Sequence, residues 1–378
     1  MNEKILLYAD PHFFSSKRYD SKENGITKRD FLLEKMFEKI GKYAKENNIN
    51  YAVGLGDFIH DISNTSTNEI LFLHNIMSNF SKNFLNHYII SGNHDVNKYD
   101  VDYGYFVNIF NGIENIKVIY NKSSTISFND FVFYLIPYFK KDIMIDTLNN
   151  LNVDSSTLNY IIGHFAESNG MHIFDSQNND DIVPYDEIKN KVAQFKALFL
   201  GHLHFKKTFN NIQYIGSCST HTFADALKYE DYISSNFVDW VGFTVIELDE
   251  QKKSITQNFI PTYEYNQVFL YADYNQIDEI ITYAINNPEK QFVVKTASKL
   301  EDISSIKAAL SKHKVKNIIM NYQVIEKEDQ SLKEEELISH KVENIVDSFI
   351  SKGLCRFDKE KIEKAEKILR ELLSTTPS

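Results

Sequence analysis

Tyr51-Ala52-Val53-Gly54-Leu55-Gly56-Asp57 is an apolar run that closes on a glycine and a carboxylate. A short continuous apolar stretch bounded by turn residues reads as a strand buried on both faces. The same form recurs on either side. Ile5-Leu6-Leu7-Tyr8-Ala9 ends on Asp10, and His87-Tyr88-Ile89-Ile90 leads into Gly92-Asn93-His94-Asp95. Between these runs apolar residues fall at helical steps. Phe31, Leu32, Met36, Phe37, Ile40 and Tyr43 precede the stop at Asn47-Asn48, and a second helix is predicted over Glu69 to Phe80. Strand, helix, strand, helix, strand is the alternation of an α/β sandwich. Each polar cluster follows the carboxyl end of a strand, where open α/β sheets place their ligands.

The pattern continues with strands predicted at 116–120, 125–128, 131–136, 159–162, 197–200, 212–215 and 242–248. A helix and loop fill 137–158, and 166–183 is a polar loop rich in Asn and Asp. The texture changes near residue 262. Strand-like Gln267–Tyr271, helix-like Gln276–Ile285, strand-like Gln291–Lys295, helix-like Ile303–Lys312 and strand-like Lys316–Val324 make a small α+β unit. From Glu326 the chain is charged and helical. Ile338, Val342, Ile345, Val346, Phe349 and Ile350 recur at three- and four-residue steps before Gly353. Asp358 caps a second helix with Ile362, Ala365, Ile368, Leu369, Leu372 and Leu373 on one face. This hairpin either packs on its own protein or presents its stripe to a partner. The organisation read from the sequence is therefore 1–262, 263–327 and 328–378.

Composition narrows the class. The chain has 378 residues, 43% hydrophobic and 25% charged, the balance of a globular protein of more than one domain. No apolar run reaches the length of a membrane span, and Met1-Asn2-Glu3-Lys4 lacks the features of a signal peptide, so a cytoplasmic protein of a bacterium or a phage-infected host is expected. Cys218 and Cys355 read as reduced thiols. A net charge of −11 argues against a surface coated for nucleic acid, although bound cations return positive charge locally.

Five segments carry the chemistry. Asp10-Pro11-His12 places a carboxylate and an imidazole two residues apart at a strand end, where both point the same way. Gly56-Asp57 is followed by His60, Gly92-Asn93-His94-Asp95 offers an amide oxygen beside an imidazole, and Gly163-His164 follows Tyr160-Ile161-Ile162. Gly201-His202-Leu203-His204 supplies a second same-side pair. Any one of these histidines alone reads as structural. Together they form a complete O/N ligand set, on tight turns whose small residues leave room for ions. His74, His87, His172, His221, His313 and His340 fall in no motif and read as structural or surface residues, with His221, beside the Gly216-Ser217 turn, the nearest to an exception.

The order and wording of these segments resemble the calcineurin-like metallophosphoesterase superfamily over residues 1 to about 250. Gly56-Asp57-Phe58-Ile59-His60 and Gly92-Asn93-His94-Asp95 are most similar to SbcD, the bacterial counterpart of the meiotic-recombination-eleven nucleases. The helix from Arg29-Asp30-Phe31 to Ile40 and the strand end Tyr214-Ile215-Gly216-Ser217 have counterparts there too. The resemblance implies one divalent ion held by Asp10, His12, Asp57 and His204, and a second held by Asp57, Asn93, His164 and His202. It also implies that His94 assists the leaving oxygen, that Asp95 orients His94, and that His60 places the phosphate. Mixed O/N ligation with open positions suits Mn²⁺, with Mg²⁺, Fe or Zn²⁺ as alternatives. Phe13-Phe14-Ser15-Ser16 departs from the pattern, since many members have Gly two residues after the first His.

Several functions share this core. Protein phosphatases of the superfamily carry Arg after the second motif and Glu in place of Asp95, and this chain has neither. Small-molecule phosphodiesterases are the alternative, but they are complete near residue 250. A non-enzymatic scaffold on this fold would lack a ligand, and every position here is filled. The segments after residue 262 match the capping domain and helical partner module of SbcD-like nucleases. The expectation is a Mn-dependent DNA exonuclease and endonuclease subunit of recombination and repair. It would dock through Ile338, Val342, Ile345, Phe349, Ile362, Leu369 and Leu372 on an SbcC-like ATPase. Lys290, Lys295, Lys299, Lys307, Lys312, Lys314 and Lys316 either offer backbone contacts to DNA or form an ordinary solvated face. The resemblance further implies a homodimer through helices near the second and third motifs, where Leu71, Phe72 and Ile76 lie.

Overall fold

Two six-stranded sheets face each other and bury the apolar runs read from the sequence. In the first, the order is Ser254–Pro261, Gly242–Asp249, Lys4–Tyr8, Tyr51–Gly54, Asn86–Ile90 and Ile116–Ile119. In the second, it is Lys207–Phe209, Ile212–Tyr214, Ala197–Gly201, Leu158–His164, Phe131–Ile136 and Ser124–Phe128. The central strands of both are parallel. This computed structural model describes residues 2–15, 22–23, 25–96, 105–169, 182–234, 241–265, 267–288, 290–298 and 300–324. The expected helical tail over 328–378 lies outside the described residues, with Ile338, Val342, Ile345, Phe349, Ile362, Leu369 and Leu372.

Strand alternation explains why these runs are apolar throughout. Ile5, Leu7 and Val53 point between the sheets and meet Phe131, Phe133, Leu135, Tyr160, Ile162 and Phe199. Their neighbours Leu6, Tyr8 and Ala52 point outward, under the helices Lys28–Glu46 and Thr67–Ser81. Leu33, Met36, Phe37, Ile40 and Ala44 form the buried face of the first helix, and Leu73, Ile76, Met77 and Phe80 that of the second. The second sheet is covered likewise, with Ile136, Ile161, Leu198 and Leu200 packed on Met144, Leu148, Ile188 and Val192. The result is the helix-flanked β-sandwich that the alternation predicts.

Both outer helices begin where side chains can cap them. Thr27 accepts the Asp30 backbone N–H, and Ser66 and Glu69 form a reciprocal capping box. The Thr67–Ser81 helix corrects one detail of the expected dimer contact. Ile76 is buried in the core of its own chain and Phe72 packs edge-on against Phe31, which leaves Leu71 as the exposed member of the trio.

Residues 227–228 and 267–324 add a third sheet of four parallel strands, Leu227–Lys228, Gln267–Tyr271, Gln291–Ser298 and Ile318–Val324. The helices Ile277–Asn286 and Leu300–Lys312 accompany it. Val268, Leu270, Ile280, Ile281, Phe292, Val294 and Ile306 make its separate core. The structure adds elements that the sequence pattern does not predict, among them the helix Tyr185–Val192, the strands Lys207–Phe209 and Ser254–Pro261, and the short strand Leu227–Lys228 followed by the helix Tyr229–Ser234. No helix among the described residues is long and apolar enough to cross a membrane.

Candidate metal centre

The hydrogen-bond ladder between the first two central strands does not stop at the strand ends. Leu55 N donates to Tyr8 O, Asp10 N to Gly56 O, His12 N to Asp57 O and Phe13 N to Phe58 O, at 2.8–3.1 Å. This continuation lays the Asp10-Pro11-His12 turn directly beside Gly56-Asp57. Gly201 pairs with His164 in the second sheet, so that sheet delivers its own motifs to the same edge. Turning the chain so sharply puts Asp10, His12, Asp57 and His202 at positive φ, +52°, +43°, +54° and +83°. Such residues cost about 1–3 kcal/mol each and persist where the surroundings over-determine them, which is typical of functional sites.

The predicted ligand residues converge. Asp57 Oδ2 lies 3.6 Å from His12 Nε2 and 3.4 Å from His164 Nε2. Asn93 Oδ1 lies 3.0 Å from His164 Nε2 and 2.9 Å from His202 Nδ1. The His202 backbone N–H reaches both carboxylate oxygens of Asp10 at 3.1 Å. Asp10, His12 and Asp57 have ligand atoms within 4.8 Å of one another, as do Asp57, His164 and His202.

The chemistry of this donor set fits divalent cations. His164 Nδ1 is 2.6 Å from the Leu55 carbonyl and donates to it. In the neutral ring Nε2 then turns a lone pair toward Asp57 and Asn93 oxygens that are also acceptors. A cation satisfies all three at once. Both ring nitrogens of His12 are buried without a hydrogen-bond partner.

The charge balance of the protein groups alone shows the same tension. Burial disfavours the charged form of Asp57, yet the His164 and His94 imidazoles outweigh it and hold the carboxyl well below its usual range. Burial also opposes the cation of His164, but the Asp57 charge wins and raises the ring to about 9. Asp10 is pushed up to about 6, by burial first. His60 is pushed down to about 4, by burial and then by His94.

Of the residues expected to serve the substrate, His94 and His60 are half-buried and Asp95 is fully buried. The His94 ring lies edge-on to His12, with centroids 4.8 Å apart, and its backbone N–H donates to Asp57 Oδ1 at 2.8 Å. Asp95 is placed differently from the expectation that it orients His94. Its two carboxylate oxygens accept the backbone N–H groups of Phe58 and Gly92 at 2.9 and 2.8 Å, so it ties the second and third motif loops together. Burial raises its carboxyl to about 8.

Phe14, two residues after His12, itself adopts a φ of +66°. Its N–H is satisfied by Asp30 Oδ1 at 2.9 Å and its ring is buried, which holds the left-handed turn without a glycine.

Three further residues complete the surroundings. Asp225 receives the His204 ring, with Nδ1 to Oδ1 at 2.7 Å. His221 is buried and stacks on His12, at 4.0 Å and 15° between planes. Arg29 is buried beneath the first motif and donates to the carbonyls of Pro11, His12 and Thr220 and to Ser219 Oγ. Position beside the Gly216-Ser217 turn was the one sequence signal for His221, and nothing in the sequence marked Asp225. By contrast His87 is structural as expected, buried with Nε2 2.8 Å from the Tyr8 hydroxyl.

No curated protein matches the chain. Among solved structures, a dimetal phosphatase from Danio rerio aligns over 69% of this chain and 96% of its own, at 10% identity and a TM-score of 0.42. Residues 3–206 match the calcineurin-like phosphoesterase family, and that stretch takes in every one of the five ligand-bearing turns. With more than half of its length matched, the chain belongs to the calcineurin-like phosphoesterase family.

Proposed function

We propose that the chain is a nuclease subunit that hydrolyses phosphodiester bonds at DNA ends, with Mn²⁺ as its metal and an SbcC-like ATPase as its partner. Membership of the family makes it a metal-dependent phosphoester hydrolase with a dinuclear centre. Asp10, His12, Asp57 and His204 would hold one ion, and Asp57, Asn93, His164 and His202 the other. When bound, the pair neutralises the phosphate and acidifies a water for attack on phosphorus. The protein's own groups do the rest. His94 Nδ1 donates to the His60 carbonyl at 2.7 Å, which leaves Nε2 as the ring atom that would pass a proton to the departing sugar oxygen when the ring is in its imidazolium form. His60 positions the phosphate, and Asp95 keeps the two motif loops in register.

The observation that carries the DNA reading is the third sheet and its tie to the site. Thr220 Oγ1 donates to the Gln267 carbonyl, and the Tyr271 hydroxyl to the Phe223 carbonyl. Both link that sheet to the loop bearing His221 and Asp225. Toward the carboxyl ends of its parallel strands Lys228, Lys295 and Tyr271, together with Glu230 and Asp273, line a cavity of about 330 Å³. Lysines beside an aromatic ring suit a phosphate–base chain longer than a single nucleotide. The ATPase and the dimer rest on the resemblance.

The test is hydrolysis by the purified full chain of linear DNA, nicked DNA and cyclic nucleotides, with and without Mn²⁺. Mn²⁺-dependent loss of linear DNA is expected. Hydrolysis of cyclic nucleotides with linear DNA left intact would replace the nuclease with a small-molecule phosphodiesterase.

A further inference from the structure

Asp225 lies between two imidazoles. One carboxylate oxygen is 2.7 Å from His204 Nδ1 and the other 2.8 Å from His221 Nδ1. The second oxygen also accepts the backbone N–H groups of His221 and Thr222, at 2.8 and 3.2 Å. The carboxylate is therefore fixed by the backbone before it meets either ring. It is buried, as is His221. The His204 and His221 ring centroids are 4.3 Å apart, and His221 stacks on His12. His12, His204 and His221 each offer a nitrogen within 4.8 Å of the other two.

A carboxylate that takes the Nδ1 proton of a histidine fixes its tautomer and directs the lone pair of Nε2 away from itself. Here the carboxylate does this for His204, and its second oxygen stands 2.8 Å from Nδ1 of His221. We propose that Asp225 is the positioning residue of the ion position shared by His12 and His204, and that His221 is a further ligand to that ion. The ion would then sit among three imidazoles, Asp10 and Asp57, and the other position would keep Asp57, Asn93, His164 and His202. An additional imidazole occupies a place that would otherwise belong to water. It biases that position toward cations that accept nitrogen readily, Zn²⁺, Co²⁺ or Fe²⁺, over Mg²⁺. This inference rests on the dinuclear reading of the centre and not on the DNA substrate.

The test uses the full chain, stripped of metal and titrated with Co²⁺. Calorimetry gives stoichiometry and affinity, and visible absorption reports the ligand field of each ion. Wild type should bind two ions. Asp225→Asn and His221→Gln should each weaken one ion about 10–100-fold and leave the other unchanged, because the altered groups serve a single position. The absorption of the weakened ion should shift in His221→Gln, since a nitrogen donor has been lost. Circular dichroism of the metal-free variants checks the fold. If Asp225→Asn does not fold, His221→Gln decides the matter. Two ions bound with wild-type affinity and an unchanged spectrum in His221→Gln would overturn the added ligand. The same result in a folded Asp225→Asn would overturn the positioning role. A wild type that binds no Co²⁺ would instead remove the dinuclear reading itself. One that binds two ions but leaves DNA intact would end only the nuclease reading.

Discussion

His94 Nδ1 lies 2.7 Å from the backbone carbonyl of His60, and the two imidazoles stack with centroids 5.4 Å apart. One residue of the second motif thus fixes the ring of the third through its backbone and faces it with its side chain. The contact of His94 with Asp57 Oδ1 is made by its backbone N–H, which a change of side chain leaves in place. His94→Gln is expected to lower kcat about 100- to 10,000-fold, the usual worth of a general acid, with metal stoichiometry unchanged. Steady-state hydrolysis beside a metal titration checks both halves. Full activity in the variant would strip His94 of its role.

Gly56 tests how tightly the turns are packed. Its φ is +92°, and a Cβ there would stand 2.5 Å from Gly92 N and 2.7 Å from His164 Nδ1. Neither neighbour can retreat, since Gly92 N is held by Asp95 and His164 Nδ1 by Leu55. Gly56→Ala should therefore spread the second and third motif loops. The left-handed backbone alone costs about 1–2 kcal/mol for an alanine, and the clash adds to it. Lower stability in urea together with loss of at least one ion is the expected outcome. Wild-type metal affinity in this variant would show that the loops can separate freely.

Arg29 is the buried brace of the first motif. Its guanidinium donates to three backbone carbonyls, of Pro11, His12 and Thr220, and to Ser219 Oγ at 2.7–2.9 Å. Leaving a buried acceptor without its donor costs about 1–3 kcal/mol, so Arg29→Ala should destabilise the metal-free protein by at least about 3 kcal/mol. Arg29→Lys should recover only part of this, because an ammonium on a single stem cannot serve acceptors arranged around a planar fork. Urea unfolding of the three proteins measures the series. A lysine variant as stable as wild type would mean that one of these contacts carries the whole effect.

These contrasts show what the sequence makes legible. Asp10, Asp57, Asn93, His164 and His202 each stand at or just past the carboxyl end of an apolar strand, so local pattern alone marks them. Asp225 follows no strand. It closes a short turn after Thr222-Phe223, and its partners His204 and His221 reach it only through the fold. Asp95 misleads because adjacency suggests His94 as its partner, whereas the chain turns its carboxylate to the amides of Phe58 and Gly92. The strand Ser254–Pro261 escapes notice because it is an edge strand with three successive exposed residues, Thr256, Gln257 and Asn258, which breaks the alternation that reveals half-buried strands. Leu227–Lys228 is simply too short to have a period.

His87 supplies a test of stability free of the metal centre. Its ring packs among Tyr8, Phe80 and Phe84, and burial there pushes the imidazole down to about 3. In the unfolded chain a histidine titrates near about 6.5. Between these values the unfolded state binds a proton that the folded state refuses. The contribution of neutral His87 is therefore complete above about pH 6.5 and declines as pH falls, by up to about 1.4 kcal/mol per unit. His87→Gln keeps a side-chain acceptor for the Tyr8 hydroxyl but cannot take up a proton. At about pH 7.5 it should be less stable than wild type, through poorer packing, and by about pH 5 the gap should narrow or reverse. Urea midpoints of the metal-free proteins across this range measure the difference. Parallel curves would mean that His87 keeps an ordinary titration in the folded chain.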